Sequence, residues 1–152
     1  EIHTLFEREK KILQKLFPNA DIQHVGSSSI PNALTKKDLD IQIRVLAEDF
    51  KNTTDVLGNI YKKHHEEIWN DKFSIMTDFK NHIHIDYMIT VIDSKYDDFY
   101  KLRDFLIQNP SVLEKYNALK LEYSDRDYLE YSKAKNDFFG GNGQINFLQR
   151  PV

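Results

Sequence analysis

A chain of 152 residues with 40% hydrophobic side chains is long enough to bury a core without covalent staples and short enough to predict a single domain. Its 21 basic and 24 acidic residues leave a net charge of -3, which excludes a global electrostatic pull toward nucleic acid or anionic membrane. With no cysteine, disulfides and thiolate metal sites are excluded; with no apolar run near the roughly 20 residues of a membrane span and no signal-peptide core, a soluble cytoplasmic protein is expected.

The chain opens on Glu1 rather than methionine, which suggests a trimmed start. From Ile2 to Phe17 the apolar residues Ile2, Leu5, Phe6, Ile12, Leu13, Leu16 and Phe17 recur at helical spacing, and Pro18 ends the helix. Asp21 to Val25 reads as a short strand entering the turn Gly26-Ser27-Ser28-Ser29. Pro31 and Asn32 mark a second turn, and Asp38 to Val45 is the next strand. Side chains alternate along a strand, so Asp38, Asp40, Gln42 and Arg44 share one face, while Leu39, Ile41, Ile43 and Val45 share the other. The first face offers chemistry and the second offers core.

Glu48 to Lys63 reads as a helix, Glu67 to Trp69 as a strand, Asn70-Asp71 as a turn and Phe73 to Thr77 as a strand. After a polar connector at residues 78 to 81, a long strand from His82 to Ile92 points His82, His84, Asp86 and Met88 one way. Three helices close the chain: Tyr96 to Gln108, stopped by Asn109-Pro110; Ser111 to Tyr123, with Ser111 as cap; and Asp127 to Phe139, broken by Gly140, Gly141 and Gly143. A mixed sheet followed by a helical part, about residues 1–95 and 96–152, predicts an α+β domain whose helices wall a cleft.

Carboxylates at i and i+2 on a strand place their Cβ atoms roughly 6 to 7 Å apart, so one divalent cation fits between Asp38 and Asp40. Hard oxygen donors of this kind suit Mg²⁺ or Mn²⁺, which take further oxygens from substrate phosphates. Asp86 offers a third carboxylate, as metal ligand or as base, and His84 on the same face competes for that position. Gly26, Ser27 and Ser28 offer amides and hydroxyls to phosphate, and Lys36 approaches the same turn. Arg103, Lys120 and Lys135 lie among aromatics in the helical part, where they can clamp an anion or serve as ordinary surface cations. Trp69 and the tyrosines are expected in the core or at a rim.

These residues carry a resemblance to the GrpB family, a branch of the nucleotidyltransferase (polymerase β-like) superfamily. It rests on HVGSSSIPNAL at residues 24–34, DLDI at 38–41, HIHI at 82–85, LRDFLIQNPSVLEKYNALK at 102–120 and YSKAKNDFF at 131–139, in that order across nearly the whole chain. The resemblance implies the minimal nucleotidyltransferase core, a mixed sheet with flanking helices and a helical C-terminal part. Gly26 and Ser27 match the superfamily's Gly-Ser signature, Asp38 and Asp40 its paired carboxylates, and the helical motif carries over Arg103, Tyr116, Lys120 and Lys135 by position. Two departures stand out. Many relatives have Pro-Ile-Ile where this chain has Lys37-Asp38-Leu39, so the metal motif is more complete here, and Asn32 replaces a glycine.

Together these readings predict Mg²⁺-dependent transfer of a nucleoside monophosphate from an NTP to an acceptor. The alternatives are a non-catalytic nucleotide- or protein-binding module on the same fold and a histidine-based metal hydrolase.

Overall fold

A computed structural model describes residues 1–141 of the chain. Among these residues five helices, α1 (Ile2–Leu16), α2 (Ala47–Ile60), α3 (Phe99–Gln108), α4 (Pro110–Glu122) and α5 (Tyr128–Gly141), surround a sheet of five strands, β1 (Asp21–Val25), β2 (Leu39–Val45), β3 (Lys62–Lys63), β4 (Phe73–Lys80) and β5 (Ile83–Val91). The α+β architecture expected from the sequence is therefore the one formed. Strand order is β1-β2-β5-β4-β3, with β2 and β5 parallel and every other pair antiparallel. None of the described helices is long and apolar enough to cross a membrane.

Alternation in β2 and β5 divides the sheet into two unlike faces. Leu39, Ile41, Ile43 and Val45 join Ile85, Tyr87 and Ile89 on a dry face covered by α1 and α2. The stripe that α1 buries is Leu5, Phe6, Glu9 and Leu13; Ile12 and Leu16, at its margin, stay exposed. Glu9 is fully buried there because the Tyr87 hydroxyl donates to Oε1 at 2.6 Å and the Lys80 ammonium to Oε2 at 2.8 Å. On the other face, Val25, Phe73, Ile75 and Met88 form a smaller apolar floor joined by Tyr96 and Phe99. A third cluster, Ile30, Leu106, Leu113, Tyr116 and Phe139, holds α3, α4 and α5 together.

Several elements depart from the sequence reading, each for a local reason. Helix α2 stops at Ile60, because Tyr61 turns extended and stacks on Tyr87 at 4.2 Å. The strand expected at Glu67 to Trp69 is a 3₁₀ turn over Glu66–Ile68, entered through His65 in the left-handed region and tied down by the Trp69 indole donating to the His64 carbonyl at 2.8 Å. Strand β4 continues to Lys80, so the polar connector shrinks to a two-residue turn. Asn81 and His82 both have positive φ, 52° and 64°, as a type I′ hairpin requires. His82 thus leaves the strand face and stands exposed in the turn. Helix α4 starts one residue early, with Pro110 in its first turn, where the missing N–H costs nothing. Gly140 and Gly141 continue α5; Gly143 lies outside the described residues.

Candidate active site

At the end of the sheet where β1 finishes and β2 begins, three acidic side chains meet. The parallel register pairs Asp40 directly with Asp86, and Asp38 immediately precedes β2. Gly26 follows β1, whose Val25 pairs with Asp40, and the chain turns at φ +75° into a 3₁₀ turn over Ser27–Ser29. A Cβ at Gly26 would lie 2.1 Å from Asp40 Oδ2, so this glycine is required by close approach as well as by backbone conformation. The opening amides of such a turn have no partner within it and remain available to an anion. Ser29 Oγ closes the turn by donating to the Gly26 carbonyl, and Ser28 Oγ meets His24 Nε2 at 3.0 Å. Only Ser27 directs its hydroxyl at a cation: it accepts a hydrogen bond from Lys120.

Electrostatics at this corner are unbalanced. Asp40 is pushed up to about 7 by burial first, then by Asp86 and Asp38, against the pull of Lys135 and Lys120. Burial also raises Asp86, opposed by His84 and His64. Asp86 Oδ1 is buried, with His84 Nε2 at 3.2 Å. Lys120 is lowered to about 8, by burial first and then by Lys135; its ammonium also donates to the Leu34 carbonyl at 2.8 Å and lies 4.4 Å from the Tyr116 ring centre. In this cluster both signs of charge are held in their less favourable environments.

His84 links the carboxylates from the side. Its Nε2 lies 2.6 Å from Thr77 Oγ1 and 3.2 Å from Asp86 Oδ1, and its Nδ1 lies 3.9 Å from Asp38 Oδ2. The Thr77 hydroxyl also lies 3.1 Å from the Ile85 carbonyl, which ties the His84 ring to the backbone of β5. Among the described residues no three acidic or histidine side chains are close enough together to hold an ion by themselves. A carboxylate pair suffices where substrate phosphates supply the remaining oxygens.

The cleft over these residues has two lobes. The outer, 590 Å³, is lined by Ser27, Ser28, Lys36, Asp38, Asp40 and Lys120 among others. The inner, 410 Å³, contains Gly26, Asp86, Arg103 and Lys135 and shares Ser27, Asp38 and Asp40 with the outer. Every predicted residue thus lines the cleft except His84, which touches two of the lining carboxylates. Arg103 is less free than the sequence suggests, because Nη1 donates to Gln23 Oε1 at 2.8 Å and the His24 carbonyl at 2.9 Å, and Nε donates to Asp104. Gln42 and Arg44, expected on the chemical face, belong elsewhere: Gln42 is fully buried, and Arg44 binds Asp97 bidentately at 2.6 and 2.7 Å and Asp21 at 2.7 Å. Neither residue neutralises the aspartates. Sequence reasoning missed His64 and His65, which wall the inner lobe, His64 with its ring centre 6.4 Å from that of His84. The paired histidines were the available signal, hidden because residues 62–68 obey neither strand nor helix periodicity.

Comparison with known proteins follows the same lines. The profile of the GrpB protein family matches residues 1–142. A UPF0157 protein of Vibrio cholerae serotype O1 is 28% identical over 135 residues, covering 89% of this chain and 72% of that protein. The crystal structure of conserved protein GrpB from Enterococcus faecalis superposes with a TM-score of 0.67 at 18% identity, covering 94% of this chain and 95% of the other, a likeness of fold.

Proposed function

We propose that this chain, which belongs to the GrpB family, is a metal-dependent nucleotidyltransferase that moves a nucleoside monophosphate from an NTP to an acceptor. The observation that carries this reading is the gathering of Asp38, Asp40 and Asp86 beside a glycine-gated turn, with Asp40 raised by burial and then by its two acidic neighbours. Such a set fits a divalent cation, Mg²⁺ or Mn²⁺, because one cation relieves the concentrated negative charge. Asp38 and Asp40 would hold it together with oxygens of the substrate phosphates, and Asp86, paired with Asp40 in the register, would serve as base. Bound there, the cation would neutralise charge on the phosphates.

The chain's own residues supply the rest. The Ser27 and Ser28 amides, the Ser27 hydroxyl and Lys120 grip and orient the phosphates at the mouth of the outer lobe. Lys36 in the outer lobe and Lys135 in the inner add cationic charge. His84, held by Thr77, lies between Asp86 at 3.2 Å and Asp38 at 3.9 Å and positions the Asp86 carboxylate. The acceptor oxygen attacks the α-phosphorus, its proton passes to Asp86, and the bond to the bridging oxygen breaks to release pyrophosphate.

Calorimetric titration with a non-hydrolysable NTP, with and without Mg²⁺, tests the proposal. Wild type should bind in a Mg²⁺-dependent manner and Asp40→Asn should lose at least tenfold in affinity. Equal binding by the two proteins would remove the metal-bridged reading and favour a non-catalytic module.

A further inference from the structure

The junction between α4 and α5 repeats one arrangement on both of its arms. Lys120 and Tyr123 are three residues apart at the end of α4, and Tyr128, Tyr131 and Lys135 recur at i, i+3 and i+7 from the start of α5, so each set shares one helical face. Both faces line the cleft: Lys120, Tyr123, Tyr128 and Tyr131 the outer lobe, and Tyr128, Tyr131 and Lys135 the inner. On each face the cation acts on Asp40, and the aromatic rings stand nearer the junction. Along α5 the rise from Tyr128 to Lys135 is about 10 Å, which leaves room for a sugar between ring and cation.

The rings at the junction are both anchored and open. The chain turns there on its own hydrogen bonds, the Arg126 amide donating to the Tyr123 carbonyl and the Tyr131 amide to the Asp127 carbonyl, each at 3.1 Å. Tyr131 is a fixed wall, its hydroxyl 3.0 Å from that of Tyr116. Arg126 lies over the Tyr123 ring at 4.7 Å, and Tyr128 leaves 58% of its surface to solvent while lining both lobes. Among the described residues Phe79 is the other large aromatic side chain left so open, and it lies outside both lobes. Open rings and a guanidinium plane hold flat bases by stacking, in proportion to the face covered.

We infer that the junction is the nucleobase seat and that it takes purine nucleotides in preference to pyrimidine nucleotides. The base stacks on the Tyr128 ring, and the triphosphate reaches back to Lys120 and Ser27. A purine covers more of the ring than a pyrimidine does, which sets the direction of the preference. This assignment rests on the nucleotidyltransferase reading and names the class of NTP that reading leaves open.

The experiment is calorimetric titration of the full chain, in Mg²⁺, with non-hydrolysable analogues of ATP, GTP, CTP and UTP and with tripolyphosphate as the probe that has no base. Both purine analogues should bind at least fivefold tighter than both pyrimidine analogues and at least tenfold tighter than tripolyphosphate. Tyr128→Ala should weaken purine binding by about fivefold to a hundredfold, the range that stacking of one base spans. Tyr128→Phe keeps the ring and should bind within about twofold of wild type. Both variants should hold tripolyphosphate within about twofold of wild type, and matching urea midpoints show that they fold. Purine and pyrimidine analogues of equal affinity, tripolyphosphate as tight as the purines, or normal purine binding by Tyr128→Ala would each overturn the base seat while triphosphate binding stands. If no triphosphate binds, the transferase reading fails separately, and NMR of the Tyr128 ring decides the seat: adenosine should shift its signals more than cytidine does, and equal or absent shifts overturn it.

Discussion

Strand β2 carries an acid, Asp40, near one end of a face and a base, Arg44, near the other, and the two ends obey opposite rules. At Arg44 every charge is answered: the guanidinium spans Asp97 and Asp21, Gln42 donates to Asp97 and Thr90, the Asp93 amide donates to Asp97, and Tyr100 lies under the guanidinium at 4.2 Å. At Asp40, four residues earlier, a buried carboxyl is crowded by Asp86 and Asp38 and has only the weaker pull of Lys135 and Lys120 against them. A strand that can build a satisfied network at one end and leaves the other unsatisfied has kept the second end for something that binds. The contrast, more than the presence of aspartates, separates site from scaffold.

The comparison breaks most visibly at Asp97. Asp97→Ala leaves the buried Gln42 and the half-buried Arg44 without their shared carboxylate, Arg44 keeping only Asp21, and should lower unfolding free energy by about 2 to 3 kcal/mol in urea titration. Gly26→Ala should cost about 2 to 3 kcal/mol, since its methyl group both meets Asp40 and strains a positive φ; the same variant should lose NTP-analogue binding by calorimetry. Asp40→Asn should act in the opposite direction. A carboxyl raised from its ordinary value to about 7 is ionised at lower pH in the unfolded chain than in the folded one, so its contribution is lost as pH rises from about 4 through 7. Removing that penalty should stabilise the protein by about 1 to 2 kcal/mol at pH 8 in the absence of metal, while nucleotide binding falls. If Asp40→Asn and Asp97→Ala both destabilise, the two ends of the strand are alike and the contrast is wrong.

The smallest effect concerns His24, stacked on Phe6 and lowered to about 4 mainly by burial. Its neutral form is the folded one, so the stability it contributes is present above pH 6.5 and is lost as pH falls from about 6.5 toward 4. Allowing for its partial exposure, about 1 kcal/mol of that slope should disappear in His24→Gln, measured by urea midpoints at pH 7.5 and 4.5.

What the sequence discloses and what it hides follow the same division. Period-two alternation in residues 39–45 and the Gly-Ser turn made the sheet core, Gly26 and Asp40 readable, because local chemistry and fold agree there. That Asp86 faces Asp40 was an inference about register, which a parallel pair joined across 37 residues does not reveal locally. The roles of Gln42 and Arg44 were hidden because their partner, Asp97, arrives from the loop before α3. His64 and His65 were hidden by a left-handed residue and a two-residue strand, neither of which has a periodic signature.

That two-residue strand has a consequence for solubility. A β-sheet edge is a template for another chain, and the hazard grows with the length of unpaired backbone. Here β4, eight residues long, would form the rim, yet its outer side is occupied by Lys62 and Lys63 opposite Thr77 and Met76, and by amides of the following segment, His64 to Ile75 and Asn70 to Phe73. Two exposed ammonium groups at the outermost rung set like charges against any second copy that approaches edge to edge. Replacing them with threonine and valine would turn a guarded margin into an aggregation-prone one.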